Sequence, residues 1–181
     1  MNNAHRTDPP SALDATFAAL IEEFSSPIAR LARGYEADES RRLDLQQEIW
    51  TAVWRALPTF EGRASHRTWL YRVAHNVATT AALRGRRDRL KRATPLESAA
   101  GDPGPGPDVE RAAEDREALL RLEARVRALR PLDRQLVLLF LEGFERGEIG
   151  EITGLSPDNV SVRLSRLRAE LAQSLRKESG P

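Results

Sequence analysis

Residues 145–171 read ERGEIGEITGLSPDNVSVRLSRLRAEL, and the fold is decided by how this stretch is parsed. Its apolar spacing predicts a short helix from about Glu145 to Thr153, a turn at Gly154-Leu155-Ser156, and a long helix from Pro157 to about Lys177. Ser156 is a natural N-cap, and Pro157 falls at the first helical position, where its missing N–H costs nothing. Two helices joined by three residues including Gly are the sequence form of a helix-turn-helix, whose second helix enters the major groove of DNA. At about 100° per residue, Val160, Leu164, Leu167 and Leu171 share the inward face. The opposite side carries Asp158, Val162, Ser165, Arg166 and Ala169, flanked by Asn159, Ser161 and Arg163. A plain helical hairpin more often carries long Glu and Lys side chains there, whereas small and polar residues beside arginines suit close entry into a groove. Arg166 is placed to meet guanine acceptors bidentately, and Asn159 and Arg163 to meet phosphates or peripheral bases. Gly150 lets the two helices approach, while Gly147 costs the short helix about 1 kcal/mol relative to Ala.

Upstream of this pair, Pro131 starts a helix whose LVLLFL run, Leu136 to Leu141, is apolar nearly all round and reads as a central buried element ended by Gly143. Before it, Asp108 is expected to cap a helix with Leu119, Leu122, Val126 and Leu129 on its buried face. Residues 94–108, TPLESAAGDPGPGPD, alternate Gly and Pro and so forbid a continuous helix or ladder. This is a flexible, acidic linker. The reading is all-α: two small helical domains, 11–92 and 111–177, joined by a Gly/Pro-rich linker over 93–110, with the helix-turn-helix in the second.

In the first domain, Phe17, Leu20, Ile21 and Phe24 recur at helical spacing, and the pattern resumes with Ile28, Leu31 and Ala32, which predicts two short helices broken at Ser26-Pro27. From Arg41 to Leu57, an apolar arc of Leu45, Ile49, Ala52, Val53 and Ala56 faces a polar stripe of Asp44, Gln47, Glu48, Thr51 and Arg55, and Pro58 stops the helix. A loop, PTFEGRAS, leads to Ser65, placed to cap a helix running to about Asp88. That helix buries Leu70, Val73, Ala74, Val77 and Ala81, leaving Thr68, Arg72, His75, Asn76, Thr79 and Arg86 on one polar stripe. Hydrogen-bonding groups punctuated by arginine suit an unpaired base edge together with its phosphate. The loop before it, Phe60 to Arg67, adds an aromatic ring and two arginines able to hold an extruded base. Trp69 reads as a core anchor.

Charge supports a polyanion partner. The net formal charge is only +1, yet residues 62–92 hold nine basic side chains against the single acid Asp88, while 1–61 hold six basic and ten acidic and 93–117 two and seven. An ordinary solvated helix interleaves both signs; one basic stretch between acidic ones is an electrostatic footprint. With no cysteine there is no disulfide, thiolate or Cys-zinc site, and a reducing cytoplasm is the expected home. No apolar run approaches the roughly 20 residues of a membrane span, and MNNAHRTDPP lacks the apolar core of a signal peptide, so neither membrane insertion nor export is expected.

These stretches resemble a known family. DLQQEIWTAVWRALPTFEGRASHRTWLYRVAHNVA looks like the domain of bacterial sigma factors that binds the polymerase clamp and the minus-10 promoter element. LRPLDRQLVLLFLEGFERGEIGEITGLSPDNVSVRLSRLRAEL resembles the domain that reads the minus-35 element. With only a short linker between them, the chain is similar to the extracytoplasmic-function group of the sigma-70 family. The resemblance implies core RNA polymerase and promoter DNA as partners, an anti-sigma factor as a common further one, and no cofactor or metal. It implies polymerase docking through Asp44, Gln47, Glu48 and Thr51. Minus-10 contacts would come from Phe60, Gly62, Arg63, Ser65, Arg67, Arg72, His75, Asn76 and Thr79. Minus-35 contacts would come from Asn159, Ser161, Val162, Arg163, Ser165 and Arg166.

Two other classes compete. An enzyme would find Asp44 and Glu48 one turn apart and two histidines in the basic segment, but no phosphate-binding glycine loop, metal-ligand spacing or serine elbow accompanies them, so no catalytic activity is expected. A stand-alone helix-turn-helix regulator, binding duplex DNA as a dimer, would have no use for the basic, base-capturing stripe of the first domain.

Overall fold

A computed structural model describes the backbone of residues 11–92 and 107–178 and the side chains of residues 11–85 and 116–174; the linker residues 93–106 lie outside them. Every regular element among the described residues is helical.

The first element, α1, is one helix, Ala12–Tyr35, and not the two expected. Ser11 and Asp14 form a capping box: Ser11 Oγ accepts the Asp14 N–H at 3.2 Å, and the Asp14 carboxylate accepts the Ser11 N–H at 2.9 Å. Pro27 removes one backbone bond from the interior, at a cost of about 3 kcal/mol. The stripe of Leu20, Phe24, Ile28 and Leu31 is buried on both sides of it. Burial of each such side chain contributes about 1.5–3 kcal/mol, so the stripe as a whole outweighs the break.

Asp38 caps α2, Glu39–Ala56, by accepting the Arg41 N–H at 2.9 Å. Pro58 ends it in a single 3₁₀ turn, Leu57–Thr59. The third helix, α3, spans His66–Arg92, one turn longer than expected. Leu45, Ile49 and Val53 of α2 meet Leu70, Ala74 and Ala78 of α3 over the α1 stripe, all of them buried.

Helix α4 spans Pro107–Ala128, so residues 107–110 belong to it and not to the linker, and Asp108 lies inside it instead of capping it. Pro107 explains the early start, since its fixed φ suits a first helical position. Helices α5, Pro131–Leu141, α6, Arg146–Thr153, and α7, Pro157–Glu178, complete the fold. Leu136, Leu139, Ile149, Val160, Leu164 and Leu167 form their common core. The turn between α6 and α7 has Gly154 at φ 76, the left-handed region that Gly enters without strain. A Cβ on Gly150 would stand 2.6 Å from the Leu155 carbonyl oxygen, so only Gly permits this turn to fold back so tightly.

Two expectations about buried faces are corrected. Phe140 and Leu141 of α5 are exposed, at the end of a helix against which α1, α4, α6 and α7 all pack elsewhere. Leu119 of α4 is also exposed, leaving Val126 buried with Leu122 and Leu129 half-buried. The helical groups α1–α3 and α4–α7 pack on one another, α1 against α4 and α5, and α3 against α6.

Candidate nucleic-acid interface

Three faces carry the residues of interest. On α2, Asp44, Gln47, Glu48 and Thr51 are all exposed, as the buried arc of Leu45, Ile49 and Val53 requires of the opposite side. Glu48 pairs with Arg84 of α3 at 2.6 Å, both partners about half exposed. Such a pair contributes little to stability and leaves the carboxylate available.

The loop into α3 turns at Gly62, φ 72. Arg63 stands far into solvent, with Glu61 as its partner at 2.6 Å. Ser65 caps α3, accepting the Thr68 N–H at 3.0 Å, which makes it a local structural residue as well as a candidate contact. The Phe60 ring is half-buried against His66 and Trp69, with centroids 4.7 and 5.1 Å away, and Trp69 is packed on the core as expected. Along α3, Asn76 is open to solvent, and Thr79 is half-buried with its hydroxyl 3.4 Å from the Tyr35 hydroxyl.

His75 does not join that face. It is 1% exposed, with Nδ1 2.9 Å from the Tyr35 hydroxyl and Nε2 without a partner among the described residues. Burial lowers its pKa to about 3, so the ring is neutral. The same burial raises the Tyr35 pKa, so its phenol keeps its proton. Helical spacing alone put His75 beside Arg72 and Asn76; the buried face of α3, with Thr68, Tyr71, Ala74 and Ala78, extends round to it, and Tyr35 satisfies one nitrogen.

Arg67 and Arg72 are also occupied. Arg67 donates to the Glu142 carbonyl at 2.6 Å, lies 3.9 Å from the Glu148 carboxylate, and stacks 3.7 Å above the Phe144 ring. Arg72 donates to the Glu151 carbonyl at 2.8 Å. Beside them, the Glu142 carboxylate takes two bonds from Arg30 at 2.8 Å and one from the Tyr71 hydroxyl at 3.1 Å. The bond to Glu142 raises the Arg30 pKa; burial, with Glu142 adding to it, raises that of Tyr71. Sequence reasoning missed Glu142, Phe144, Glu148 and Glu151. The available signal was an acid closing an otherwise apolar helix, at Glu142.

On α7, Asn159, Val162, Ser165 and Arg166 are exposed and Ser161 is half-buried. Val162 is 70% exposed, an aliphatic group that no described residue covers. Arg163 is half-buried and 3.4 Å from Asp133 of α5, and Arg166 lies 3.7 Å from Glu170 one turn on. The inward stripe of Val160, Leu164 and Leu167 is buried, so the outward face is held at a fixed angle to α6. Such a face can enter a groove, and the open stripe of α2 can meet a protein.

No group of three or more His, Cys, Asp or Glu among the described residues is arranged to hold a metal, and no helix among them is long and apolar enough to cross a membrane.

Comparison with known proteins places both halves. Residues 20–88 match the family model of sigma-70 region 2, and residues 119–171 match that of sigma-70 region 4. The chain is 29% identical over 171 residues to the RNA polymerase sigma factor CnrH of Cupriavidus metallidurans, covering 90% of this chain and 88% of that one. It is 30% identical over 166 residues to the ECF RNA polymerase sigma factor SigE of Mycolicibacterium smegmatis, covering 88% and 62%. In fold it resembles CnrH solved in complex with the cytosolic domain of CnrY, at TM-score 0.64 and 22% identity over 90% of this chain and 89% of that one. It also resembles RpoE solved in complex with the anti-sigma factor NepR from Bartonella quintana, at TM-score 0.67 and 21% identity over 90% and 97%.

Proposed function

Because the chain belongs to the extracytoplasmic-function group of the sigma-70 family, and is thus an alternative sigma factor of transcription initiation, we propose a division of work among its faces. Asp44, Gln47, Glu48 and Thr51 dock on core RNA polymerase. Phe60, Gly62, Arg63, Ser65, Arg67, Arg72, Asn76 and Thr79 capture the melted minus-10 strand, with His75 supporting α3 from behind. Asn159, Ser161, Val162, Arg163, Ser165 and Arg166 read the minus-35 duplex.

The observation that carries this reading is the coexistence of an exposed acidic stripe on α2 and a rigidly backed helix-turn-helix face on α7 in one chain. The α7 face fixes register on paired upstream DNA, while captured bases repay a few kcal/mol of unstacking per extruded nucleotide. Binding energy is thereby spent on melting. The chain itself catalyses no reaction, and it works in the cytoplasm beside the polymerase it serves. An anti-sigma protein is a fitting inhibitor, since the RpoE to which the fold is similar was solved with one.

Reconstitution with bacterial core polymerase on a promoter library, scored by transcript starts, tests the reading. A shared pair of upstream motifs among the active promoters is the expected result. A chain that binds duplex DNA unaided and ignores core polymerase is a stand-alone regulator instead.

A further inference from the structure

A cavity of about 260 Å³ has walls from α1, α3, α4 and α5. Leu31, Leu119, Leu122, Val126, Leu138 and Leu141 make it mostly apolar. Leu119 and Leu141 are 55% and 60% exposed, so the apolar lining runs out to solvent and forms an entrance.

The charged side chains that line the cavity are matched to one another. Arg30 holds the Glu142 carboxylate with two bonds at 2.8 Å, the Tyr71 hydroxyl adds a third at 3.1 Å, and Arg33 lies 3.9 Å from Glu123. Two cations and two anions cancel, so an ionic ligand would leave water for a site with no net charge to meet it.

His75, also on the wall, is not matched. Its buried Nε2 has no partner among the described residues. Tyr35 donates its phenol proton along the shorter of two contacts, 2.9 Å to Nδ1 against 3.4 Å to Thr79 Oγ1. A neutral ring that accepts at Nδ1 carries its hydrogen at Nε2, which leaves one buried N–H donor unused. Such a donor keeps the full cost of leaving water. A buried water answers it poorly, because that water needs about three polar partners and these walls are mostly hydrocarbon.

We propose that the cavity is a binding site for a small neutral carbonyl compound, hydrocarbon in body and about two fused rings in size, whose oxygen accepts from His75 Nε2. The size follows from volume, since an apolar cavity of about 150 Å³ takes a single benzene ring. None of the residues proposed to touch polymerase or DNA lines this cavity, so the site goes beyond the sigma-factor reading and does not rest on it. The occupant touches four helices at once, and its binding free energy adds to the stability of the fold. The chain can thereby answer a small molecule directly, without a second protein as receptor.

Prodan, a neutral naphthalene ketone whose emission moves to the blue in apolar surroundings, is the probe for the full chain. It should bind saturably, one per chain, and raise the melting temperature. Acetylnaphthalene should displace it at a concentration about fivefold or more below that needed of ethylnaphthalene, which has the same shape without the oxygen. In an apolar cavity with no donor the order is the opposite, because the hydrocarbon gives up no hydrogen bond to water. Leu122→Trp, which fills the cavity from a half-buried position on α4, should weaken prodan about tenfold or more. His75→Phe, similar in shape, should reverse the order of the two competitors. Prodan that does not saturate, that binds Leu122→Trp as tightly, or that yields more readily to ethylnaphthalene on the unaltered chain overturns the proposal. Should a variant fail to fold by circular dichroism, the order of the competitors on the unaltered chain decides alone. A chain that sediments as a dimer and takes up prodan only on dilution gives the cavity to a second copy, which overturns the proposal too.

Discussion

The Tyr35 hydroxyl and the His75 ring nitrogen Nδ1 lie 2.9 Å apart inside the first helical group, a polar pair that ties the last turn of α1 to the middle of α3. Burial holds the imidazole neutral, with its pKa lowered to about 3 against about 6.5 in an unfolded chain. Above pH 6.5 neither state binds the proton and the full stability is present. Below it the unfolded chain takes up a proton that the fold refuses, so stability falls by about 1.4 kcal/mol per pH unit until the pH nears the folded value. Urea unfolding at pH 7, 6 and 5 should show stability level near pH 7 and falling below 6.5, and His75→Asn should remove that part of the fall. An unchanged slope in the variant would mean that His75 is not the group titrating.

Asn76 is exposed on α3, next to the buried His75. Replacing it by Ala should slow promoter opening by about tenfold or more while leaving initial closed docking nearly intact, since a lost bond to a captured base is worth about 1–3 kcal/mol. Equal losses in an opening assay and a docking assay would remove it from the capture set.

Arg166 is exposed on α7, with the neighbouring Glu170 at 3.7 Å. Arg166→Ala should relax preference at one upstream base pair by about 1–3 kcal/mol, read as altered representation in a randomised minus-35 library. A uniform loss across all sequences would make it a phosphate contact.

The two glycines of α6 should respond in opposite directions. Gly150→Ala forces a Cβ into the Leu155 carbonyl, backbone that cannot swing aside, and should destabilise the second helical group by about 1–3 kcal/mol. Gly147 has nothing within 4 Å of an added Cβ, and Gly147→Ala should gain up to about 1 kcal/mol of helix propensity. Thermal melts of the two variants give the comparison.

Most of the helical architecture was legible because it is written in local spacing. The Ser156-Pro157 start of α7, the Gly154 turn and the buried arc of Leu45, Ile49 and Val53 all follow from neighbours within a few turns. Pro27 misled for the complementary reason: its local cost is offset by tertiary burial on both sides, which a sequence window does not weigh. His75 was misplaced because the polar stripe of α3 is broad, and which of its edges turns inward is decided by how closely α1 approaches through Tyr35. Glu142, Glu148 and Glu151 were missed altogether. Two of them act on arginines through main-chain carbonyls, which every residue possesses, so no side-chain pattern announces them.

The span between Arg30 and Glu142 also sets an order of events at the ribosome. Helices α1 to α3 share a core of their own, including Ile28, Ile49 and Leu70, and can collapse as soon as Arg92 has cleared the exit tunnel. At about 5–20 residues per second, the partner that will sheathe Arg67 and Arg72 arrives seconds later. A newborn chain thus passes through a brief interval with Arg67 and Arg72 uncovered, and a truncated or prematurely released product would keep them so.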